Sequence, residues 1–145
     1  MDLPKRDQSA VMLRRMVPKI TPMNEYFWTA GKQGVLKIMH CAACARFFHP
    51  FVGRCPNCRS KQIAPKAVSG NGVVVGVTVN HQPWLPEIDV PYIVALIALD
   101  EQDDIRLLSD MCDLNPDEIH IGTPVTVYFE EQNEIYIPLF RPRKD

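Results

Sequence analysis

The sequence has no long hydrophobic run, no excess of charge of one sign and no internal repeat. Its longest apolar runs, such as Ile93–Leu99, have only the length of a strand, so no segment spans a bilayer. The 16 lysines and arginines against 17 aspartates and glutamates give a net charge of −1. That balance supplies no overall positive field for nucleic acid or an anionic membrane.

The first residues, 1–6, contain no apolar signal core. Together with cysteines of the metal-binding kind, which must stay reduced, this points to a cytoplasmic protein. The sequence also lacks a recognisable catalytic constellation. No nucleophile, carboxylate pair or oxyanion-hole motif accompanies His81 and Trp84, and Cys112 has no adjacent base. We therefore predict no catalytic residue in this chain.

Four cysteines form two C-x2-C pairs separated by ten residues. Two intervening residues let the backbone turn so that both sulfurs of a pair face one point, and the link is long enough to place the second pair opposite the first. Four soft thiolates favour zinc and leave no position for water. We predict a structural Zn²⁺ ion, with iron in a redox site as the alternative, and these ligands: Cys41, Cys44, Cys55 and Cys58.

The length of 145 residues permits one ordinary domain or two small ones, and the cysteines favour two. A ribbon of about 40 residues is near the size at which an apolar core alone fails. The turn residues Ser69-Gly70-Asn71-Gly72 mark the predicted boundary. We predict an N-terminal arm over residues 1–21, an aromatic helix and zinc ribbon over 22–68, and a second domain over 69–145.

Thr21 and Pro22 predict the start of a short helix that extends to about Lys32 and ends at Gly34. Trp28 points away from the apolar stripe of this helix. It either packs beneath the ribbon or contacts another chain, since tryptophan is a common interface residue. The stripe itself follows i, i+3, i+4, i+7 spacing and consists of Met23, Tyr26, Phe27 and Ala30.

Beyond the boundary the pattern is that of an all-β domain, with strands predicted over 73–80, 92–99, 105–111, 123–130 and 134–140. The segment Asn115-Pro116-Asp117-Glu118 suits a short helical turn before the fourth strand. Five strands with this turn are typical of a small closed barrel of the OB type. The predicted fold is therefore mainly β: an N-terminal helix, a zinc ribbon and a five-stranded OB-fold barrel.

Several short motifs occur in one order over residues 22–141, and together they resemble a family of acyl-CoA-associated proteins. That family joins a rubredoxin-like zinc ribbon to an OB-fold and is known as a domain of unknown function. One departure is that Ala45 and Arg59 stand where the ribbon often has glycine, so Arg59 is expected to alter its turn slightly. The motifs are Tyr26-Phe27-Trp28, the four cysteines with Pro56, Gly70-x-Gly72, Pro91-Tyr92-x-Val94-Ala95, Leu99-Asp100-Glu101 and Ile121-Gly122-x-x-Val125.

The resemblance implies a non-catalytic accessory subunit that binds a thiolase-like enzyme and shares its acyl-CoA site. Such partners are thiolases, hydroxymethylglutaryl-CoA synthases, or aldolases that split side chains from steroid-CoA thioesters. The segment Asn80-His81-Gln82-Pro83-Trp84 is similar to the steroid-aldolase branch. The candidate contacts to the partner or the acyl-CoA are Tyr26, Trp28, His81 and Trp84, although His81 and Trp84 could instead cap the barrel mouth.

Nucleic-acid binding is the alternative function, because ribbon and OB-fold pairings also bind RNA and single-stranded DNA. The charges of the predicted barrel argue against this function. Between residues 73 and 134 it carries many carboxylates, which would repel a phosphate backbone, and its one arginine is Arg106. The basic residues gather elsewhere. They either face solvent or meet CoA phosphates or an acidic partner, and they are Arg46, Arg54, Arg59, Lys61, Lys66, Arg141, Arg143 and Lys144.

Overall fold

The computed structural model describes residues 16–86 and 88–144. Residues 1–15 of the predicted N-terminal arm lie outside the described residues. The described chain forms a three-stranded sheet and a closed five-stranded barrel, with a short helix before the sheet. None of its helices has the length and hydrophobicity needed to span a membrane.

The helix, α1, occupies Glu25–Thr29 and continues as a 3-10 turn over Ala30–Gln33. It begins later than predicted, because residues 22–24 form a turn in which the N–H groups of Asn24 and Glu25 donate to the carbonyl of Thr21. Thr21 and Pro22 therefore open a turn and not the helix.

Gly34 ends the helical segment, as predicted. Its φ of 71° lies in the left-handed region that glycine adopts without strain. The predicted apolar stripe is right for Phe27 and Ala30, which are buried, and wrong for Met23, whose side chain is 58% exposed. Met23 lies in the turn before α1, so helical spacing does not apply to it.

The three-stranded sheet is the zinc ribbon. Strand β1 (Leu36–Cys41) lies between β2 (Phe47–Phe48) and β3 (Ile63–Val68), and both pairings are antiparallel. The early part of β1 contributes Leu36 and Ile38 to the main core, whereas its end contributes Met39 and Cys41 to a separate, smaller core. This strand thus links the metal site to the barrel.

The barrel has the spatial order β4-β5-β6-β8-β7 and closes through the antiparallel pairing of β4 with β7. Its interior is filled by alternating side chains such as Ile97, Val125 and Phe140, all fully buried. A 3-10 turn over Pro116–Glu118 precedes β7, as predicted. The fold is an OB-fold with these strands: β4 (Asn71–Asn80), β5 (Tyr92–Leu99), β6 (Gln102–Met111), β7 (Pro124–Gln132) and β8 (Ile135–Pro142).

The helical segment packs directly on the barrel. Phe27 of α1 belongs to the same buried cluster as the barrel side chains. At Gly31 the two parts approach so closely that an added Cβ would lie 2.4 Å from Cδ1 of Phe129 and 2.6 Å from Cβ of Tyr136. Only glycine fits this contact.

Gln102 joins the ribbon to the barrel. Its Oε1 accepts a hydrogen bond from the N–H of Phe47 at 2.9 Å, and its Nε2 donates to the carbonyl of Phe47 at 2.9 Å. The carboxamide thereby satisfies both backbone groups of Phe47 on the free edge of β2, as a neighbouring strand would. Next to it, Arg46 forms an ion pair with Asp104 at 2.6 Å.

We expect Gln102→Ala to lower the free energy of unfolding by about 1–3 kcal/mol, because two partly buried backbone groups of Phe47 lose their partner. Urea unfolding of the zinc-loaded protein measures this change. Gln33→Ala is the matched control, since Gln33 is exposed in the 3-10 turn. Equal unfolding midpoints for the two variants would show that the bridge contributes nothing.

Candidate metal centre and apolar groove

The two cysteine pairs are folded in the same way. Cys41 ends β1, and the N–H of Ala45 donates to its carbonyl at 2.8 Å. Cys55 lies between β2 and β3, and the N–H of Arg59 donates to its carbonyl at 2.8 Å. Each pair therefore sits in a tight turn that presents both of its sulfurs on one side.

Ala45 and Arg59 both adopt left-handed backbone, with φ of 61° and 65°. These are the positions at which the ribbon often carries glycine. The φ of Arg59 and its hydrogen bond match those of Ala45, so the two turns have the same backbone geometry. The second pair keeps the same geometry although its side chain at this position is larger.

The four sulfurs have the spacing of a tetrahedral site. The Sγ atoms of Cys41 and Cys58 are 3.6 Å apart, as are those of Cys44 and Cys55, and all four lie within 4.8 Å of one another. Zinc–sulfur bonds of about 2.3 Å require tetrahedral edges of about 3.8 Å. The predicted ligand set therefore fits one structural Zn²⁺ ion.

Two of the four thiols have shifted pKa values, in opposite directions. A side-chain hydrogen bond with Asn57 is the main cause that lowers the pKa of Cys44 to about 6. At Cys58 the backbone of Ser60 lowers the pKa, but desolvation and the other thiols outweigh it and raise the pKa to about 12. Ionisation of the Cys58 thiol near neutral pH thus requires a nearby positive ion, and metal binding releases its proton.

The apolar core around the metal site is small. Met39 and Phe48 are its buried side chains apart from Cys41 and Cys55. Burial of these few side chains does not offset the conformational entropy that the ribbon loses on folding. The metal is therefore the main stabiliser of the ribbon. His40 takes no part in the cluster of thiols, and its ring packs on Phe47 with centroids 4.8 Å apart.

An apolar groove with a volume of about 1050 Å³ runs between the helical segment and the barrel. Its walls come from residues of the segment 16–28, from the ribbon residues 49–51, from the loop residues 85, 88 and 89, and from strands β5, β6 and β8. These parts are far apart in the sequence. We call this feature the apolar groove.

Two of the predicted contact residues line the apolar groove. Tyr26 is half-buried, and burial raises the pKa of its hydroxyl, which therefore remains protonated and able to donate. Trp28 is also half-buried and packs edge-on against Phe27 with ring centroids 4.8 Å apart. Its indole thus combines contact with the core and access to the groove.

The other two predicted contact residues lie on the loop between β4 and β5. His81 is exposed, and the side chain of Trp84 is 70% exposed. Neither lines the groove, although Leu85 of the same loop does. The structure therefore brings Tyr26 and Trp28 together and places His81 and Trp84 on an adjoining loop.

Sequence reasoning missed Leu108 and Arg106, which line the groove from β6. In this strand Leu107 and Ser109 are buried, whereas Leu108 is 73% exposed. Strand alternation would have found it, because an apolar residue at an outward position of a strand is a signal of contact.

His49 lines the groove between Phe27 and Pro50 and was also missed. Its ring lies 4.9 Å from that of Phe27, and its buried Nδ1 has no hydrogen-bond partner among the described residues. Burial lowers the pKa of this imidazole, because the charged form would lose its hydration. His49 is therefore neutral in the fold near neutral pH.

The geometry defines a zinc-ribbon and OB-fold protein. Residues 28–64 match the family described as ChsH2, rubredoxin-like zinc ribbon domain, and residues 65–130 match ChsH2, C-terminal OB-fold domain. A DUF35 domain-containing scaffold protein of Methanothermobacter thermautotrophicus is 33% identical over 96 residues, which cover 65% of this chain and 71% of the relative. The chain belongs to the DUF35 family.

Other relatives are longer. A probable enoyl-CoA hydratase alpha subunit of Thermomonospora curvata is 37% identical over 126 residues, 86% of this chain and 39% of that protein. The 3-oxo-4,17-pregnadiene-20-carboxyl-CoA hydratase alpha subunit of Mycobacterium tuberculosis is 31% identical over 110 residues, 76% of this chain and 34% of that protein. The chain thus spans little more than a third of these two relatives.

A solved structure described as Ltp2-ChsH2(DUF35) aldolase contains a chain with the same fold. Its TM-score to this protein is 0.77 at 37% identity, and the match covers 87% of this chain and 98% of that one. The match confirms the predicted family and its arrangement of ribbon and barrel.

We expect one Zn²⁺ ion per chain, and we expect Cys55→Ser to remove it, because a structural site needs all four ligands. Loss of the ion removes roughly 10–16 kcal/mol of apparent binding energy, so the ribbon unfolds. Metal analysis and amide hydrogen exchange of β1 to β3 measure both effects. Cys112→Ser is the control and keeps the metal. A ribbon that stays protected after chelation would contradict a structural role.

We expect wild-type stability to fall more steeply than that of His49→Phe between about pH 7.5 and about pH 5.5. The pKa of His49 is lower in the folded than in the unfolded chain. The unfolded chain therefore binds more protons as the pH drops, and the free energy of unfolding decreases. Urea unfolding in saturating zinc measures the difference. His81→Phe is the control, because His81 is exposed, and it should keep the wild-type dependence of unfolding free energy on pH. If His49→Phe also keeps that dependence, His49 is not buried in its neutral form.

Proposed function

We propose that this chain is a non-catalytic accessory subunit that binds a thiolase-like enzyme and helps form its acyl-CoA site. The partner acts on a CoA thioester, and the aldolase that splits steroid-CoA side chains is the partner class we favour. The partner supplies the reacting groups, and this chain supplies a rigid surface that orients the acyl group.

The observation that carries the proposal is the match to a chain of the Ltp2-ChsH2(DUF35) aldolase, at 37% identity over 98% of that chain. Identity at this level over both ribbon and barrel supports a shared mode of assembly. The names of two longer relatives, both alpha subunits of CoA-thioester hydratases, support CoA thioesters as the class of substrate.

The described side chains suit this role. Tyr26 and Trp28 offer a half-buried aromatic wall on the helical segment. Trp84 projects from the neighbouring loop with 70% of its side chain exposed. Large, partly exposed aromatic side chains bury much apolar surface when a partner protein covers them.

A covering subunit favours the reaction by preorganisation. Closing the acyl pocket excludes water, and a fixed wall holds a bulky acyl group in a reactive orientation. The metal-pinned ribbon provides the rigidity, since the wall residue Tyr26 packs against both the main core and the small core at the metal.

The basic side chains near the second cysteine pair are the candidate contacts to CoA phosphates. Arg54, Arg59 and Lys61 are exposed, whereas Arg46 and Arg143 are engaged in ion pairs with Asp104 and Asp100. Arg54, Arg59 and Lys61 form no ion pair with another residue in the described ranges, and clustered cations are what a polyphosphate requires.

We expect this chain to co-purify with a co-expressed thiolase-like enzyme of the same organism and to raise the activity of that enzyme on CoA thioesters. We expect Trp28→Ala to weaken the association by more than about 1 kcal/mol, since a buried tryptophan is a typical interface hot spot. Calorimetric titration of the two purified proteins measures the affinity.

Circular dichroism of isolated Trp28→Ala controls for unfolding, and unfolding of that variant alone would assign Trp28 to the core. Failure to co-purify together with unchanged activity would reject the accessory role. Turnover of a thioester by the unaccompanied chain would reject the non-catalytic part of the proposal.

A further inference from the structure

We propose that the second half of β4 pairs with the same strand of a second copy of this chain and joins two barrels into a symmetric dimer. We call this half, residues 75–80, the open edge. The proposed function does not use this surface, so the dimer and the accessory role are independent of each other.

Strand β4 has a neighbour on only one side over its second half. It pairs with β5 along residues 72–80 but with β7 only along residues 71–73. The N–H of Val74 donates to the carbonyl of Thr123, which extends this second contact by one residue. The chain before Thr123 lies in a turn, in which the N–H and the hydroxyl of Thr123 donate to the carbonyl of His120. Beyond Val74, therefore, no strand among the described residues covers this side of β4.

Part of the backbone of the open edge points away from β5. In an antiparallel ladder, alternate residues direct their N–H and C=O groups to opposite sides. Val74 bonds away from β5. The register shift after it moves the alternation by one residue, so Val77 and Val79 face outward. No backbone group of residues 75–80 bonds to a described residue outside the ladder with β5.

The side chains of the open edge do not protect it from pairing. Exposed edges are usually guarded by charged residues, by proline or by a bulge. Residues 75–80 contain no charged residue and no proline, and the bulge of β4 lies at the beginning of this stretch. Val77 is 38% exposed, and Ile121, which follows the strand beside Val74, is 60% exposed. The open edge thus combines available backbone groups with apolar side chains.

The chemistry of the open edge selects a second copy as its occupant. Only an extended polypeptide supplies complementary N–H and C=O groups at the spacing of a strand. The partial charges of an antiparallel edge are complementary to themselves, because a two-fold rotation brings each N–H opposite a C=O of the other copy. A second copy therefore carries the matching edge by construction, whereas a partner enzyme would need a free strand of its own.

The side chains also permit this pairing. With the two-fold axis at Val77, the two Val77 residues face each other, and Val75 faces Val79 of the other copy. Like charges directly opposite each other destabilise a strand pair, and the open edge contains none. The dimer would extend the sheet of β6, β5 and β4 continuously into the second barrel.

Sedimentation velocity of the full-length, zinc-loaded chain under reducing conditions tests the dimer. We expect a monomer–dimer equilibrium between about 10 and about 300 µM. Val77→Lys places two like charges opposite each other, and we expect it to weaken the dimer at least about tenfold. Val52→Lys is the matched control and keeps the dimer, since Val52 is 45% exposed and lies between β2 and β3 of the ribbon.

Hydrogen exchange of the wild type tests the same contact without any substitution. We expect the amides of Val77 and Val79 to exchange at least about fivefold more slowly at the highest protein concentration than at the lowest, because they donate across the dimer. The amide of Thr78 faces β5 and is the internal control, with an exchange rate that does not depend on concentration.

A wild type that stays monomeric over this range would overturn the proposal. A dimer that a folded Val77→Lys leaves intact, or one that does not protect Val77 and Val79, is held by another surface and would also overturn it. If circular dichroism shows that Val77→Lys is unfolded, the exchange measurement decides alone. Protection that appears only after a thiolase-like enzyme is added would make that enzyme the occupant and refute the dimer. None of these results rejects the accessory role, which the co-purification experiment tests separately.

Discussion

The four thiolate bonds to one cation are the constraint on which the rest of this structure depends. The core around them contains few buried apolar side chains, among them Met39 and Phe48, and such a core does not fold alone. The metal fixes the end of β1, and the start of the same strand places Leu36 and Ile38 in the main core. A single strand therefore carries the rigidity of the metal site into the barrel and to the helical segment that forms one wall of the apolar groove.

Gln102 adds a second connection between ribbon and barrel. Its carboxamide pairs with both backbone groups of Phe47, and the ion pair of Arg46 with Asp104 lies beside it. An exposed ion pair contributes little to stability, about 0–1 kcal/mol, so the carboxamide is the more important contact. Together with β1 it fixes the ribbon at two separate points, which restrains rotation of the ribbon as well as its distance from the barrel.

The local features of this fold follow from the sequence, and the features made by distant residues do not. Cysteine spacing predicted the metal ligands, and the apolar run over residues 92–99 predicted the bounds of β5. Strand β6 begins at Gln102 and not at Ile105, because its first residues are charged or polar and extend the strand only through pairing with Leu99 and contact with β2. The apolar groove combines residues that are far apart in the sequence, so two of its residues, Tyr26 and Trp28, were predicted as contacts while the groove itself was not predicted.

The close contact at Gly31 limits the substitutions that this position tolerates. The atoms that a Cβ would meet belong to Phe129 and Tyr136 of the barrel, and neither can withdraw without disturbing the fit of the helical segment. In saturation mutagenesis with a selection for function, we expect every substitution of Gly31 to be as damaging as the substitution of a ligand cysteine. Intolerance at this buried position would therefore report the packing of the helical segment on the barrel and not a binding site.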